Sequence, residues 1–413
     1  MTSAWTLRRF FGALLGLALA ITAGCEEEPE VAEKPEPEAV APAEQLILTE
    51  TTFEALPGWS EDQVVEVLPA LLRSCAGLTA QTDERPVGPD GLAGSVADWR
   101  APCLELGGLA APDETTLRGL LASWFQPYEV TGPGSAPGSA LGKFTGYYEA
   151  ELNGALFPGG EYRWPLFTLP PDLVRVDLGR FRADLEGERI FGRVENGRLV
   201  PYHGRAEIDD GVLSGRNLEL LWVDDPVDAF FLHIQGSGQV RLPDGETLRV
   251  GFAGSNGLSF VGIGRVMIDE GKVPENGLSM QSIRDWLRAN PEEGAVLMRR
   301  NPRYIFFRRI EGDGPIGSQG VALTPGRSLA VDPAFLPLGA PLWLDTTWPG
   351  SDKPLRRLMV AQDTGSAIKG PVRGDFYWGA GEAALEYAGR MNQQGRYFLL
   401  LPKTVAERRR TSS

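Results

Sequence analysis

The chain has 413 residues, with 55 Asp and Glu against 40 Lys and Arg, and a formal net charge of −15 at pH 7. That acidic balance excludes a nucleic-acid binder, in which Lys and Arg must neutralise phosphates, and excludes adhesion to anionic lipid by charge alone. The length gives a soft expectation of two domains, and 51 glycines with 32 prolines imply the many turns of a β-rich body.

Arg8 and Arg9 precede an apolar run from Phe10 to Ile21. A bilayer-spanning helix needs ~20 apolar residues, so this shorter run reads as a signal-peptide core. It ends in Thr22-Ala23-Gly24-Cys25, which resembles a bacterial lipobox whose cysteine is lipidated and becomes the mature N-terminus, although Thr22 stands where Leu is usual. Residues 1–24 are therefore expected as a signal, and export would leave the mature chain at −17 once Arg8 and Arg9 depart. An ordinary cleaved signal is the alternative. Residues 26–45 are dominated by Pro, Glu and Ala and read as an extended acidic tether, with a reach of ~60 Å at ~3 Å per residue. Cys75 and Cys103 remain, and in an oxidising compartment they form either one bridge or two buried thiols.

The folded part opens with a helical stripe, Val64, Val67, Leu68, Leu71, Leu72 and Cys75. Asp113 is expected to cap a second helix that buries Leu117, Leu120, Leu121, Trp124 and Phe125 and is stopped by Pro127. From Phe144 to Phe260, short β-like runs alternate with turn signals at Asp209-Asp210-Gly211, Pro243-Asp244-Gly245 and Asn256-Gly257, which predicts an antiparallel β domain. Ser279 is expected to cap a helix packing Ile283, Trp286 and Leu287. Strands are expected at 304–308, 328–331, 341–344 and 357–361, then a helix near 381–391 and a last strand at 396–401.

Two histidines, His203 and His233, provide no zinc spacing, and neither a Gly-x-Ser-x-Gly elbow nor a Walker loop occurs. Gly379-Ala380-Gly381-Glu382-Ala383-Ala384 fits a dinucleotide pattern but lacks the βαβ unit that gives it meaning. No metal or other cofactor is expected. Carboxylate chemistry remains. Between Asp363 and Asp375 runs a Gly-containing loop with Lys369 and Arg373, and Phe376, Tyr377 and Trp378 follow. Apolar rings raise the pKa of a neighbouring carboxyl while cations lower another, a pattern suited to acid/base work. Aspartates that merely cap turns are the plainer reading of the same residues.

This segment resembles the three-aspartate signature of the membrane-bound lytic murein transglycosylase A family. Thr145-Gly146-Tyr147-Tyr148-Glu149 resembles a second motif of that family. Asp228 to Gly238 resembles a third, with His233 where Gln is common. Asn256-Gly257, Ile263-Gly264, the Met280 to Trp286 helix and Asn301 to Phe307 follow in the family's order, so the resemblance covers Thr145 to Pro402. It implies a mainly β fold with a few helices. A double-psi β-barrel would be built from 46–143 and 305–403, with a second barrel-like β domain, 144–304, inserted, a substrate groove between them, and 404–413 as a tail. It also implies cleavage of the MurNAc–GlcNAc bond of peptidoglycan strands with formation of 1,6-anhydro ends, using Asp375 as acid then base and Asp363 in support, with the exchange of these roles as the alternative. Tyr147, Glu149, Gln235, Ser237 and Asn256 would contact sugar, and Lys369 and Arg373 would flank the site or face solvent. The implied partners are glycan strands, a membrane reached through lipid on Cys25, most naturally the outer one seen from the periplasm, and proteins of wall synthesis or division. The rival readings are a non-catalytic peptidoglycan-binding lipoprotein and a glycoside hydrolase using both aspartates.

Overall fold

The computed structural model describes residues 46–132, 141–274, 278–312 and 314–412. The signal, Cys25 and the tether lie outside the described residues.

Strand β1 (Ile47–Glu50) is followed by three helices, α1 (Leu68–Thr79), α2 (Val96–Gly107) and α3 (Glu114–Trp124), and then by β2 (Phe125–Thr131). Val64 and Val67 are buried in a 3-10 turn ahead of α1, and Leu71 is buried within it. Leu72 corrects the expected stripe. It is one position further round the helix and 36% exposed. Helix α2 was not anticipated, because Pro102 lies inside it and Leu104 points outward at 78% exposure. Its buried Trp99 and Cys103 face the core, and Cys103 is joined to Cys75 of α1 by a disulfide with Cα atoms 5.4 Å apart. Asp113 caps α3 by accepting from the Thr116 amide at 2.7 Å. The helix ends at Trp124, before Pro127, which sits inside β2. A proline holds the preceding residue extended, so the change of structure falls ahead of it.

Strand β3 (Gly142–Ala155) is the longest of the fold's described strands. After it come β4 (Trp164–Phe167), β5 (Val174–Asp177), β6 (Arg189–Glu195), β7 (Arg198–Pro201), α4 (Arg205–Asp209) and β8 (Glu219–Val223). Helix α5 (Pro226–Gln235) leads into β9 (Ser237–Arg241) and β10 (Thr247–Ser255). The chain between Phe144 and Phe260 is therefore not purely antiparallel β. It holds two helices, and β3 and β9 run parallel. Asp225 caps α5 through the amides of Val227 and Asp228, Pro226 opens it, and Gly236 closes it at φ +82°. Helices α6 (Ile263–Asp269), α7 (Met280–Ala289) and α8 (Pro291–Met298) follow, with Ser279 capping α7 as expected.

The C-terminal part returns to strands: β11 (Ile305–Ile310), β12 (Ser328–Val331), β13 (Pro341–Thr347), β14 (Pro354–Asp363) and β15 (Arg373–Ala380). Helix α9 (Glu382–Arg390), β16 (Asn392–Pro402) and α10 (Lys403–Ser412) complete it, so the expected tail is a helix.

Among the described residues thirteen strands join in one sheet, ordered β1-β2-β16-β13-β14-β12-β15-β3-β9-β10-β11, with β4 and β8 attached beside β3. The sheet curls until β16 also meets the first residues of β3. Strands β5, β6 and β7 form a small separate sheet. The expectation of two barrel domains is corrected. This is a mixed α/β fold with one large sheet, because β3 pairs with β15 over its first half and with β9 over its second, carrying the sheet from one half of the molecule into the other. One core lies between α1 to α3 and β12 to β16 and includes the fully buried Trp99, Trp343, Phe144, Phe376 and Tyr397. Each such ring withdraws enough apolar surface to stabilise the fold by roughly 2–3 kcal/mol.

Candidate active site

The register of the large sheet brings the two aspartates together. Ala330 of β12 pairs on one side with Asp363 of β14 and on the other with Asp375 of β15. Asp375 pairs in turn with Thr145 of β3. Paired residues present their side chains on one face of a sheet. Neighbouring strands lie ~4.8 Å apart, so the two aspartate Cα atoms stand roughly 10 Å apart across the small Ala330. A register shift at Gln362 aims Asp363. Gln362 is the extra residue. Its side chain is fully buried, accepting from Ser328 Oγ and donating to Ala70 O and Ser74 Oγ, which leaves Asp363 to face the cleft.

Asp363 is surrounded by donors. Oδ1 accepts from the Ser318 amide, the Ser318 hydroxyl and its neighbour's amide at Thr364, each at 2.9 Å, and Oδ2 accepts from the Tyr147 hydroxyl at 3.0 Å. Burial pushes the carboxyl up, and these four donors oppose it. Asp375 has less support. Its Oδ1 accepts one hydrogen bond, from the Thr145 hydroxyl at 2.5 Å, and Arg373 donates to that same hydroxyl at 2.8 Å. Burial pushes the Asp375 carboxyl up to about 6. The Thr145 hydrogen bond and the Arg373 charge pull the other way, and the charge of Asp363 adds to the rise. Asp375 is thus half protonated near pH 6 and can give a proton at near-neutral pH. Burial and Asp363 hold the Tyr147 phenol well above its ordinary value, so it is a fixed neutral donor.

A cleft of about 460 Å³ opens over this row and reaches both carboxyls. Its opposite wall includes Gln235 and Ser237 at the junction of α5 and β9, together with Phe252, Phe260 and Arg308. Gln235 is fastened by accepting from the Tyr148 amide at 3.1 Å. Among the described residues no group of three His, Cys, Asp or Glu is placed to hold a metal ion.

Other expected residues lie elsewhere. Glu149 is 2% exposed and committed to Arg249, at 2.6 Å, and to Gln239, at 2.9 Å. Asn256 is wholly buried. It donates to the carbonyls of His203 and Pro302 and accepts from the Tyr304 amide, so it ties loops together behind the cleft. Lys369 extends into solvent, 67% exposed, with its amine 3.7 Å from Asp332 rather than at Asp363. Arg373 reaches Asp375 only through Thr145. Buried His233 accepts from the Ile305 amide at 3.1 Å, and burial together with the charge of Arg205 keeps its ring neutral.

Ser318 and Asp332 were missed. Ser318 stands alone in a loop with no local pattern. Asp332 accepts from the Gly370 amide at 2.9 Å and so fastens the loop between the two site aspartates. Its position directly after the buried strand β12 was the available signal. In the sequence, Thr145 is marked only by the motif that runs to Glu149.

The profile described as the MltA specific insert domain matches residues 143–308, and that of the 3D domain matches 327–401. A Vibrio cholerae protein named membrane-bound lytic murein transglycosylase A is 32% identical over 278 residues, 65% of this chain and 67% of that one. The protein of the same name from Escherichia coli K12 is 33% identical over 265 residues, 62% and 65% of the two chains, so the match spans about two thirds of the curated relatives. The crystal structure of a membrane-bound lytic murein transglycosylase from Agrobacterium tumefaciens superposes with a TM-score of 0.76 at 32% identity, covering 87% of this chain and 99% of that one. Escherichia coli MltA with bound chitohexaose gives 0.59 at 26% identity, covering 82% and 89%. The row Asp363–Ala330–Asp375–Thr145 thus stands within the matched segments, and the chain belongs to the membrane-bound lytic murein transglycosylase A family, carrying its C-terminal 3D domain.

Proposed function

We propose that this protein is a lytic transglycosylase of peptidoglycan that cleaves the MurNAc–GlcNAc bond and leaves 1,6-anhydro-MurNAc ends. The observation that carries this reading is the unequal treatment of two carboxyls on one row, with Asp375 raised to about 6 and lightly bonded while Asp363 is held by four donors. Family membership supports it, as does the relative seen with bound chitohexaose.

Protonated Asp375 gives its proton to the glycosidic oxygen as the bond from that oxygen to C1 of MurNAc breaks. Its carboxylate then takes the proton of the C6 hydroxyl as the C6 oxygen bonds to C1. No water is consumed and the carboxyl ends as it began. Because the nucleophile belongs to the same sugar, orientation supplies a contribution on the order of 7–11 kcal/mol, which removes the need for a second carboxylate to activate water. Asp363 acts by positioning. It holds Tyr147 and Ser318 as a fixed rim beside the reacting sugar. Gln235 and Ser237 contact sugar from the opposite wall. Lipid on Cys25 would anchor the enzyme, and the Cys75–Cys103 bridge suits an exported, periplasmic protein at the outer membrane. Among the described residues no helix is long and apolar enough to cross a membrane.

The test is mass spectrometry of muropeptides released from purified sacculi by the wild-type chain and by Asp375→Asn. Products lighter by one water than hydrolytic muropeptides, absent with the variant, are expected. Hydrated reducing ends would replace this reading with a two-carboxylate hydrolase, and sacculi that bind without release would replace it with a binding protein.

A further inference from the structure

A second cavity, of about 320 Å³, adjoins the catalytic cleft. Ser318, whose amide and hydroxyl both donate to Asp363, lines the two. The rest of the second cavity is built largely by the N-terminal layer. Leu78 near the end of α1, Arg85 and Val87 in the following loop, and Val96 at the start of α2 face Leu336 and Gln319. This layer precedes residue 143, where the matches to the two family domains begin.

The cavity is a built feature. Its floor is joined to the cleft by buried hydrogen bonds. Ser74 of α1 donates to Gln319 Oε1 at 2.7 Å and accepts from Gln362 Nε2 at 2.9 Å, and Gln362 immediately precedes Asp363. Its two framing helices are locked by the Cys75–Cys103 disulfide. Its walls are apolar at Leu78, Val87 and Leu336, and its mouth carries the exposed guanidinium of Arg85, which spends one donor on Gln81 at 3.0 Å. The nearby carboxylate of Asp83 is engaged by Arg100. A trough of mixed lining, with Leu78 and Leu338 beside Gln81 and Gln319, one cation at its mouth and no aromatic ring, fits a short peptide bearing a carboxylate better than it fits a sugar, which would call for a flat ring to stack on.

We infer that this cavity is a subsite for the acidic stem peptide carried by the muramic sugar whose glycan lies in the cleft. The inference rests on the glycan reading of the cleft and deepens it. The N-terminal layer then acts as a specificity element that reads the peptide while the sheet reads the sugar.

The experiment measures binding to the full chain carrying Asp375→Asn, so that ligand is not consumed. Three probes are used: peptide-bearing murein glycan, the same glycan stripped of peptide, and the free stem tetrapeptide. Arg85→Ala and Gln81→Trp are compared in that background, since both positions are exposed. The expected result is tighter binding of the peptide-bearing glycan, with that preference reduced about fivefold by either substitution and affinity for the stripped glycan unchanged. Equal affinity for the two glycans, or a preference that survives both substitutions, overturns the subsite. Binding of the free tetrapeptide that is lost in Arg85→Ala, with the stripped glycan not held, supports the subsite and sinks the glycan reading of the cleft instead. Glycan binding with no trace of peptide dependence does the reverse.

Discussion

Ser318 of the loop between β11 and β12, Tyr147 of β3 and the Thr364 amide give the Asp363 carboxylate four hydrogen-bond donors, whereas β15 and its neighbour β3 give Asp375 a single hydroxyl, with a guanidinium one step behind it. Both groups lie on one row of the same sheet and both are pushed up by burial. Burial alone therefore does not divide the labour between them. The count of donors does, because a carboxylate held in four hydrogen bonds is an anchor with little freedom to exchange a proton, while one with a free oxygen can present it to a substrate.

The sharpest way to break this comparison is to remove the acid. Asp375→Asn should lower the rate of anhydro-muropeptide release by about 10³-fold or more, with retained binding to sacculi, measured by chromatography of the products. The same substitution sharpens the comparison through stability. A carboxyl whose folded pKa lies above its unfolded value stabilises the fold fully below the unfolded value, and that stability is lost as pH rises through the folded one. The wild type should accordingly lose up to about 3 kcal/mol between pH 4 and pH 7 that the Asn variant does not lose, read by urea unfolding at the two pH values. Equal pH dependence in the two proteins would falsify the raised pKa. Asp363→Asn should cost about 10²-fold in rate by loosening Tyr147 and Ser318, and should move the fall of activity to somewhat lower pH, because the charge of Asp363 no longer adds to the rise of Asp375. The smallest effect is expected from Thr145→Val. Activity of the wild type should decline above pH 6 as Asp375 ionises. Without the hydroxyl that favours the ionised form, the decline should begin about half a pH unit higher, seen in a pH–rate profile.

Asp363, Asp375 and the Thr145 to Glu149 segment were legible because they sit in dense local motifs. What those motifs did not reveal was which polar residues face the cleft. Tyr147 and Glu149 are two apart and share a strand, yet a register shift lies opposite them, between Tyr377 and Ala380, and only Tyr147 reaches the catalytic row. Asn256-Gly257 is irregular chain just past β10 rather than a turn, with Gly257 at φ +79°, and the asparagine is the knot that ties it down. The segment from Asp228 to Gln235 reads as part of a β domain because a run such as Phe230-Phe231-Leu232 suits a buried strand as well as a buried helix. Asp225 followed by Pro226 was the capping signal that separates them. Ser318 acts across 45 residues of sequence and left no local trace. Thirteen strands joined in a single sheet depend on pairings between distant segments, such as Thr145 with Asp375, which periodicity does not report.

Strand β3 also has a mechanical meaning. Its first half borders the acid and its second half borders the strand that begins with Ser237, so the two walls of the cleft share one uninterrupted backbone splint. A jaw hinged within either paired half of that strand would have to break ladder hydrogen bonds each time it closed. The cleft is better described as a fixed gauge than as a clamp. A strand is admitted by its width and shape on arrival, and slackening the splint at either end should blur the fit at the other.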